Sequence, residues 1–188
     1  VTRSLMTNAD VLHRNPVYIL PTEIYWGNFV RAWDAQLVGY LLNTLIVEVC
    51  QVFGVPFTAA LCAFGFSKVQ FRFRETLFAL VLSTMMLPGI CTQIPLYVTY
   101  VKIGWINTLL PFTVTAFFGG GAVNIFLIRQ FMRGIPREMD EAAKIDGANA
   151  FMIFWRIVLP MCMPVIVLIM VQTFMAVSYT HLTLPTKL

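Results

Sequence analysis

Charge is what this sequence has least of. Its 188 residues carry 13 Lys and Arg against 9 Asp and Glu, 12% in all, where a soluble domain carries roughly 25%. With 59% hydrophobic residues beside so little solvating charge, an ordinary water-soluble domain is excluded. Histidine is nearly absent: His13 and His181 are isolated, and neither has a role in the chemistry proposed below. The four cysteines, Cys50, Cys62, Cys91 and Cys162, form no C-x-x-C pair and fall within or beside apolar runs, which favours small packing residues over a metal or redox centre. No G-x-x-x-x-G-K-[ST] run occurs, so the chain has no Walker-type loop for holding a nucleotide's phosphates.

What the missing charge leaves behind is a set of long apolar runs. Thr76 to Tyr100, Ile103 to Ile128 and Ile157 to Thr180 contain no Lys, Arg, Asp or Glu, and Gln36 to Ser67 contains only Glu48. Each exceeds the roughly 20 residues that cross a bilayer, so the economical reading is four spans. Lys68, Arg72 and Arg74 follow the first span, and Arg129, Arg133, Arg137, Lys144 and Arg156 follow the third, whereas Lys102 alone separates the second from the third. The positive-inside rule puts the first two groups in the cytoplasm and the Lys102 turn outside. The net charge of +4 therefore flanks membrane segments and makes no continuous stripe for nucleic acid.

Charges of both signs gather in one place, the stretch Arg129 to Pro164. Such an island belongs outside the hydrocarbon, as a large loop in water. Gly134 breaks the preceding helix, and Pro136 suits the first turn of the next because its missing N–H has no helical partner there. Glu138, Asp140 and Glu141 favour that helix's N-terminal end, and Asp140 and Lys144, one turn apart, predict a modest ion pair. Ala142 and Ala143 leave the helix, spanning about 136–145, thin enough for a partner surface to come close. Gly147, after Asp146, can take the left-handed conformation that ends a helix, and Asn149 is placed to cap a second one carrying Phe151, Phe154, Trp155 and Val158. The alternative is a plain amphipathic connector solvated on one face.

Polar residues inside the apolar runs are the other candidates. Glu48 and Gln51 lie in the outer half of the first span, with Pro56 near its middle, and an acid inside a membrane helix costs about 2.5 to 3.5 kcal/mol. Glu48 therefore lines a solute path or makes a helix contact near the interface. The second span holds Gln93 beside Pro88-Gly89 and Pro95, which predict a kink near its outer half, either pathway-lining or a packing device. Trp105, in the external turn, fits the headgroup-level aromatic belt. The third span holds Asn124 and Gly119-Gly120-Gly121; with no strand before it and no GK[ST] after it, the triplet predicts close packing or local unwinding.

In the polar loop, Glu141, Ala142, Ala143, Gly147, Ile157, Leu159 and Pro160 stand in the order EAA, three residues, Gly, nine residues, I-x-L-P. That pattern resembles the signature loop of bacterial ABC importer permeases, and EAAKIDGANAFMIFWRIVLP is similar to their carbohydrate-importer, maltose-type branch. The likeness extends through LLNTLIV (41–47), FRFRETLF (71–78), MLPGICTQIPLY (86–97) and NIFLIRQFMRGIP (124–136), to about Ala176. It implies an all-α polytopic membrane helical bundle of the type I-like importer class, with four transmembrane helices of an expected six, in a bacterial inner membrane. Residues 1–36 would be an external loop with one amphipathic element, and 37–177 the permease domain with a cytoplasmic coupling loop at 129–156. Residues 178–188, SYTHLTLPTKL, would be a non-native tail. One membrane helix would be missing at each end.

The resemblance also implies a second permease subunit, two copies of a cytoplasmic ATPase and an extracytoplasmic solute-binding protein as partners, besides membrane lipid. This chain would hold no cofactor and no catalytic site, with ATP and Mg on the ATPase. Glu141, Ala142, Ala143, Lys144, Asp146, Gly147 and Ala148 would meet the ATPase, and a rigid second helix would pass its motion to the fourth span. The path candidates are Glu48, Gln51, Gln93 and Asn124. The alternative is an ion-coupled secondary transporter or channel that uses Glu48.

Overall fold

The computed structural model describes Trp26 and residues 37–183. The chain divides into two compact units, Val1–Leu45 and Ile46–Leu188. In the first, Trp26 lies exposed in a turn, and helix α1 (Leu37–Lys68) opens with Thr44 Oγ1 donating to the Tyr40 carbonyl at 2.9 Å. The rest of the expected external segment, 1–36, lies outside the described residues. The remainder of the description concerns the second unit.

Helix α1 is 32 residues long, roughly 48 Å at 1.5 Å per residue, and so exceeds the ~30 Å hydrocarbon core. Its small residues Ala59, Ala60, Ala63 and Ser67 are buried along one stripe and Gly54 is buried separately, while Phe53, Phe57 and Leu61 are exposed. A smooth stripe lets neighbouring helices approach closely. Pro56 is buried inside the helix, which continues through it.

The second apolar run is broken rather than kinked. Helix α2 (Arg74–Ser83) and a 3-10 turn (Thr84–Met86) meet helix α3 (Gly89–Lys102) at 98°. The cause is local: Pro88 forces Leu87 out of helical conformation, and Leu87 has φ −76° and ψ 122°. Tyr100 and Trp105 stack in the turn that follows.

The third run is unwound at its glycine triplet, as that triplet predicts, and so is not one uninterrupted span. Helix α4 (Leu110–Thr115) and helix α5 (Ala122–Arg133) are separated by Gly119, Gly120 and Gly121, with φ of 84°, 65° and 84°. Three successive left-handed residues end any helix, and glycine alone takes them cheaply. The unwinding serves close approach, since a Cβ on Gly120 would collide with the Val55 carbonyl and lie 2.7 Å from Ala59 Cβ. Hence one described helix is long and apolar enough to cross a membrane, or up to three segments if each bent pair is one span. Four uninterrupted spans are not found among the described residues.

After α5 come helix α6 (Arg137–Ile145), helix α7 (Ala150–Ile153), a π-helical turn (Phe154–Val158), the short helix α8 (Leu159–Met161) and helix α9 (Met163–Thr183). The expected rigid second helix is thus a composite. Pro160 has no N–H for the Arg156 carbonyl, which suits the widened turn before it, and the chain bends by 74° between Met161 and Met163. Helix α9 continues through Thr183, beyond the change of character at 178; residues 184–188 lie outside the described part. The core gathers Ile128 and Met132 of α5, Phe154 and Val158 of the π turn, and Ile166 and Ile169 of α9 around the α1 stripe. All described elements are helical.

Candidate functional site

The polar loop is built from local rules. Ile135 is buried and anchors the chain after α5, and Pro136, extended at φ −55° and ψ 139°, stands at the cap of α6 rather than inside its first turn. At the other end Ala148 N–H bonds the Ala143 carbonyl at 2.9 Å and Gly147 N–H bonds that of Lys144 at 3.0 Å, with Gly147 at φ +85°. This is the paired Schellman closure, which needs a left-handed residue at the glycine. Two residues later Asn149 Oδ1 accepts from Met152 N–H at 2.8 Å and starts α7. Helix, elbow and capped second helix follow as expected.

The two faces of α6 differ. Asp140 and Ala143 are buried inward, and Ala148 packs against the core. Glu138, Met139, Glu141, Ala142, Lys144, Asp146 and Gly147 are exposed, and Ile145 is 87% exposed. Ala143 therefore meets this chain's own core instead of thinning the helix for a partner; Ala142 is the small residue on the outer side. A solvated loop that shows Ile145 and Met139 among charges has a composition suited to contact.

The expected Asp140–Lys144 pair does not form. Asp140 Oδ2 lies 2.7 Å from Lys68 Nζ, with the two side chains 11% and 8% exposed, and the same ammonium donates to the Ile135 carbonyl at 3.1 Å. A buried carboxylate needs a buried cation, whereas a surface pair one turn along an exposed helix is worth only about 0.5 kcal/mol. A second clamp lies at the same end of the unit. Arg129 is buried, donates from Nε to the Phe66 carbonyl at 3.1 Å, and reaches both oxygens of Glu75 at 3.0 and 2.8 Å. Its guanidinium also sits 3.8 Å from the centre of the Phe78 ring. Lys68, Arg74, Arg129 and the polar loop thus share one end, as the charge distribution predicted. The sequence pattern gave Lys68 and Arg129 only a topological role; their partners lie 54 to 72 positions away in the chain.

Among the path candidates, the structure joins two. Gln51 and Asn124 line a cavity of about 430 Å³ together with Val55, Gln172, Thr173, Ala176 and Val177. Gln51 Nε2 donates to the Phe112 carbonyl of α4 at 2.6 Å and Asn124 Nδ2 to that of Gly120 at 2.7 Å, so the unwound segment holds the second amide and the helix before it the first. Gln172 was missed, although an amide within a charge-free run is the signal that selected the other two. Glu48 is half-buried, accepts from Ser178 Oγ at 3.2 Å and lies outside that lining; Gln93 is exposed on α3 and also lies outside it. No trio of His, Cys, Asp or Glu able to hold a metal occurs among the described residues.

Comparison with known proteins follows this geometry. Over residues 54–183 the chain matches the family described as binding-protein-dependent transport system inner membrane component. It is 31% identical over 170 residues to the melibiose/raffinose/stachyose import permease protein MelC of Bacillus subtilis, covering 88% of this chain and 59% of that protein. It is 32% identical over 166 residues to the sn-glycerol-3-phosphate transport system permease protein UgpE of Agrobacterium fabrum, covering 84% and 58%. The chain thus spans somewhat over half the length of these relatives. In fold it is similar to a chain from the crystal structure of a bacterial ABC transporter involved in the import of the acidic polysaccharide alginate, with a TM-score of 0.78, 23% identity, and 95% of this chain and 62% of that one covered. With more than half of its residues matched, this chain belongs to the family of binding-protein-dependent transport system inner membrane components.

Proposed function

We propose that this chain is part of a permease subunit of an ATP-driven importer, multi-pass in a bacterial cytoplasmic membrane, which moves a sugar or related polar solute. The observation that carries the proposal is the two-faced helix α6, locked to its own core through Asp140 and Ala143 and closed by Gly147, with Glu141, Ala142, Lys144 and Ile145 turned outward. Family membership and the sugar-importing relatives support it. In this reading α6 docks on a separate ATPase. Glu141, Ala142, Lys144, Asp146 and Gly147 form the contact, while Ala143 and Ala148 support it from within. A second permease subunit and a solute-binding protein complete the assembly. ATP and Mg are held by the ATPase, no cofactor or catalytic group is contributed by this chain, and Gln51, Asn124 and Gln172 belong to the wall of the solute path.

The test is uptake and co-purification with the ATPase for full-length variants. Ile145→Asp and Glu141→Lys change exposed side chains, so they are expected to leave membrane insertion intact while abolishing ATPase binding and uptake. A Cβ at Gly147 meets no atom within 4 Å but must hold a left-handed φ, so Gly147→Val strains the elbow by about 1–2 kcal/mol and adds bulk to the contact, and both ATPase binding and uptake are expected to fall. Normal binding and uptake in the first two variants would reject docking at α6. Uptake that survives ATP depletion and dies with the proton gradient would favour an ion-coupled carrier instead.

A further inference from the structure

Lys68 ends α1, yet its ammonium points into the loop. It grips the chain on both sides of Pro136, at the Ile135 carbonyl before α6 and at Asp140 within it. The pair is nearly sealed from solvent, so removing either partner strands the other as a buried charge. Nor is the pair arranged for stability alone. Asp140 Oδ1 is buried without a hydrogen-bond partner, on the wall of a cavity of about 370 Å³ that Lys68 and Lys144 also line. A half-satisfied buried carboxylate is costly, so packing alone does not account for this one.

We propose that Lys68 is a positioning residue that fastens α6 to α1, so that displacement of α6 is delivered directly to the membrane helix carrying Gln51. The proposal rests on the reading of α6 as the ATPase-docking helix. Two routes leave α6. The one toward α9 passes the Gly147 turn, the Asn149 cap, the π turn and the 74° bend, each a place where displacement can be absorbed. The one through Lys68 enters a single helix. From Lys68 to Gln51 is 17 residues, about 26 Å of continuous helix, and its one proline is buried. Gln51 lines the cavity described above with Asn124 and with Gln172 of α9. Both routes therefore end on residues that line one open cavity, and the Lys68 link makes its α1 and α9 sides move together.

The experiment uses the full complex with its ATPase. Spin labels replace Phe53 on α1 and Phe174 on α9, both exposed, in a chain whose cysteines are changed to alanine. Pulsed-resonance distances are compared without nucleotide and with ATP and vanadate. The unaltered chain is expected to change its α1–α9 distance on trapping. Lys68→Met and the isosteric Asp140→Asn are expected to lose that change while still binding the ATPase. Lys68→Arg, which keeps the charge and the donors, and the reversed pair K68D/D140K are expected to recover it. A merely structural role would lower the unfolding temperature of the single variants without touching the distance change. An unchanged distance response in both single variants, with the ATPase bound, overturns the Lys68 link and leaves docking intact. Failure of the unaltered chain to bind the ATPase overturns both.

Discussion

Replacing Arg129 with methionine removes three interactions of unequal weight, and the structure ranks them. Nε satisfies the Phe66 carbonyl, one of the last-turn carbonyls of α1 that have no partner within the helix. Stranding it in a buried place costs about 1–3 kcal/mol. The guanidinium over the Phe78 ring is almost fully desolvated and contributes about 1–2 kcal/mol. The ion pair to Glu75 has the shortest distance, 2.8 Å, but the carboxylate's side chain is 61% exposed, so solvent screens it and it ranks last of the three. Arg129→Met is therefore expected to destabilise by about 3 kcal/mol, whereas Glu75→Gln, which leaves the carbonyl and ring contacts in place, is expected to shift the midpoint far less. Arg129→Lys keeps a charge but loses the planar fork, and falls between them. Equilibrium unfolding of the full-length protein in detergent, read as midpoint shifts at constant slope, measures all three. Equal losses for Arg129→Met and Glu75→Gln would show that the ion pair to α2, and not the carbonyl bond to α1 or the ring contact, carries the effect, and would refute the ranking.

Gly119 and Gly120 separate backbone strain from contact. Both have positive φ, but a Cβ at 119 meets nothing within 4 Å while one at 120 collides with α1. Gly119→Ala is thus expected to cost about 1 kcal/mol and Gly120→Ala about 3 kcal/mol; equal unfolding midpoints would mean that α1 and the glycine segment are not in contact. Asn149→Ala deletes the side-chain acceptor for Met152 N–H and is expected to cost about 1 kcal/mol, with Asn149→Asp near neutral. Faster proteolysis in the 146–150 segment of the alanine variant alone would register that loss, and identical digestion of all three proteins would count against the cap.

What could be read from the sequence was what neighbouring residues decide among themselves. Gly147, Asn149 and Pro88 each act through a backbone rule that reaches at most five residues, and each conformation was accordingly legible, though the 98° at Pro88 exceeded the expected kink. The third apolar run misled only as an uninterrupted span, because hydropathy measures what surrounds a helix and not whether its backbone can stay helical; the glycine triplet, read by itself, predicts the unwinding. Asp140 misled for a related reason. Spacing rules see only the cation one turn away, so they selected Lys144, while burial selected Lys68, 72 residues earlier. Ala143 followed from the same error, because the inward face of α6 depends on where α1 ends. Among the polar residues of the apolar runs, Gln51 and Asn124 line one cavity, and the same criterion applied to the last run would have added Gln172, which lines it too.

These corrections converge on one point of the fold, the C-terminal turn of α1. Arg129 brings α5 to the Phe66 carbonyl there and fastens α2 through Glu75, and Lys68 brings α6 to the next turn. None of the clamps uses the apolar surface on which membrane helices rely, since apolar packing in lipid resists separation but not sliding. Buried, directional bonds to carbonyls and carboxylates fix register as well as proximity. An element that receives a push at α6 needs register, for a helix free to slide along its neighbour would dissipate the push. The polar bonds therefore stand where force would enter, and the compliant parts, the π turn and the bend after Met161, lie beyond the elbow.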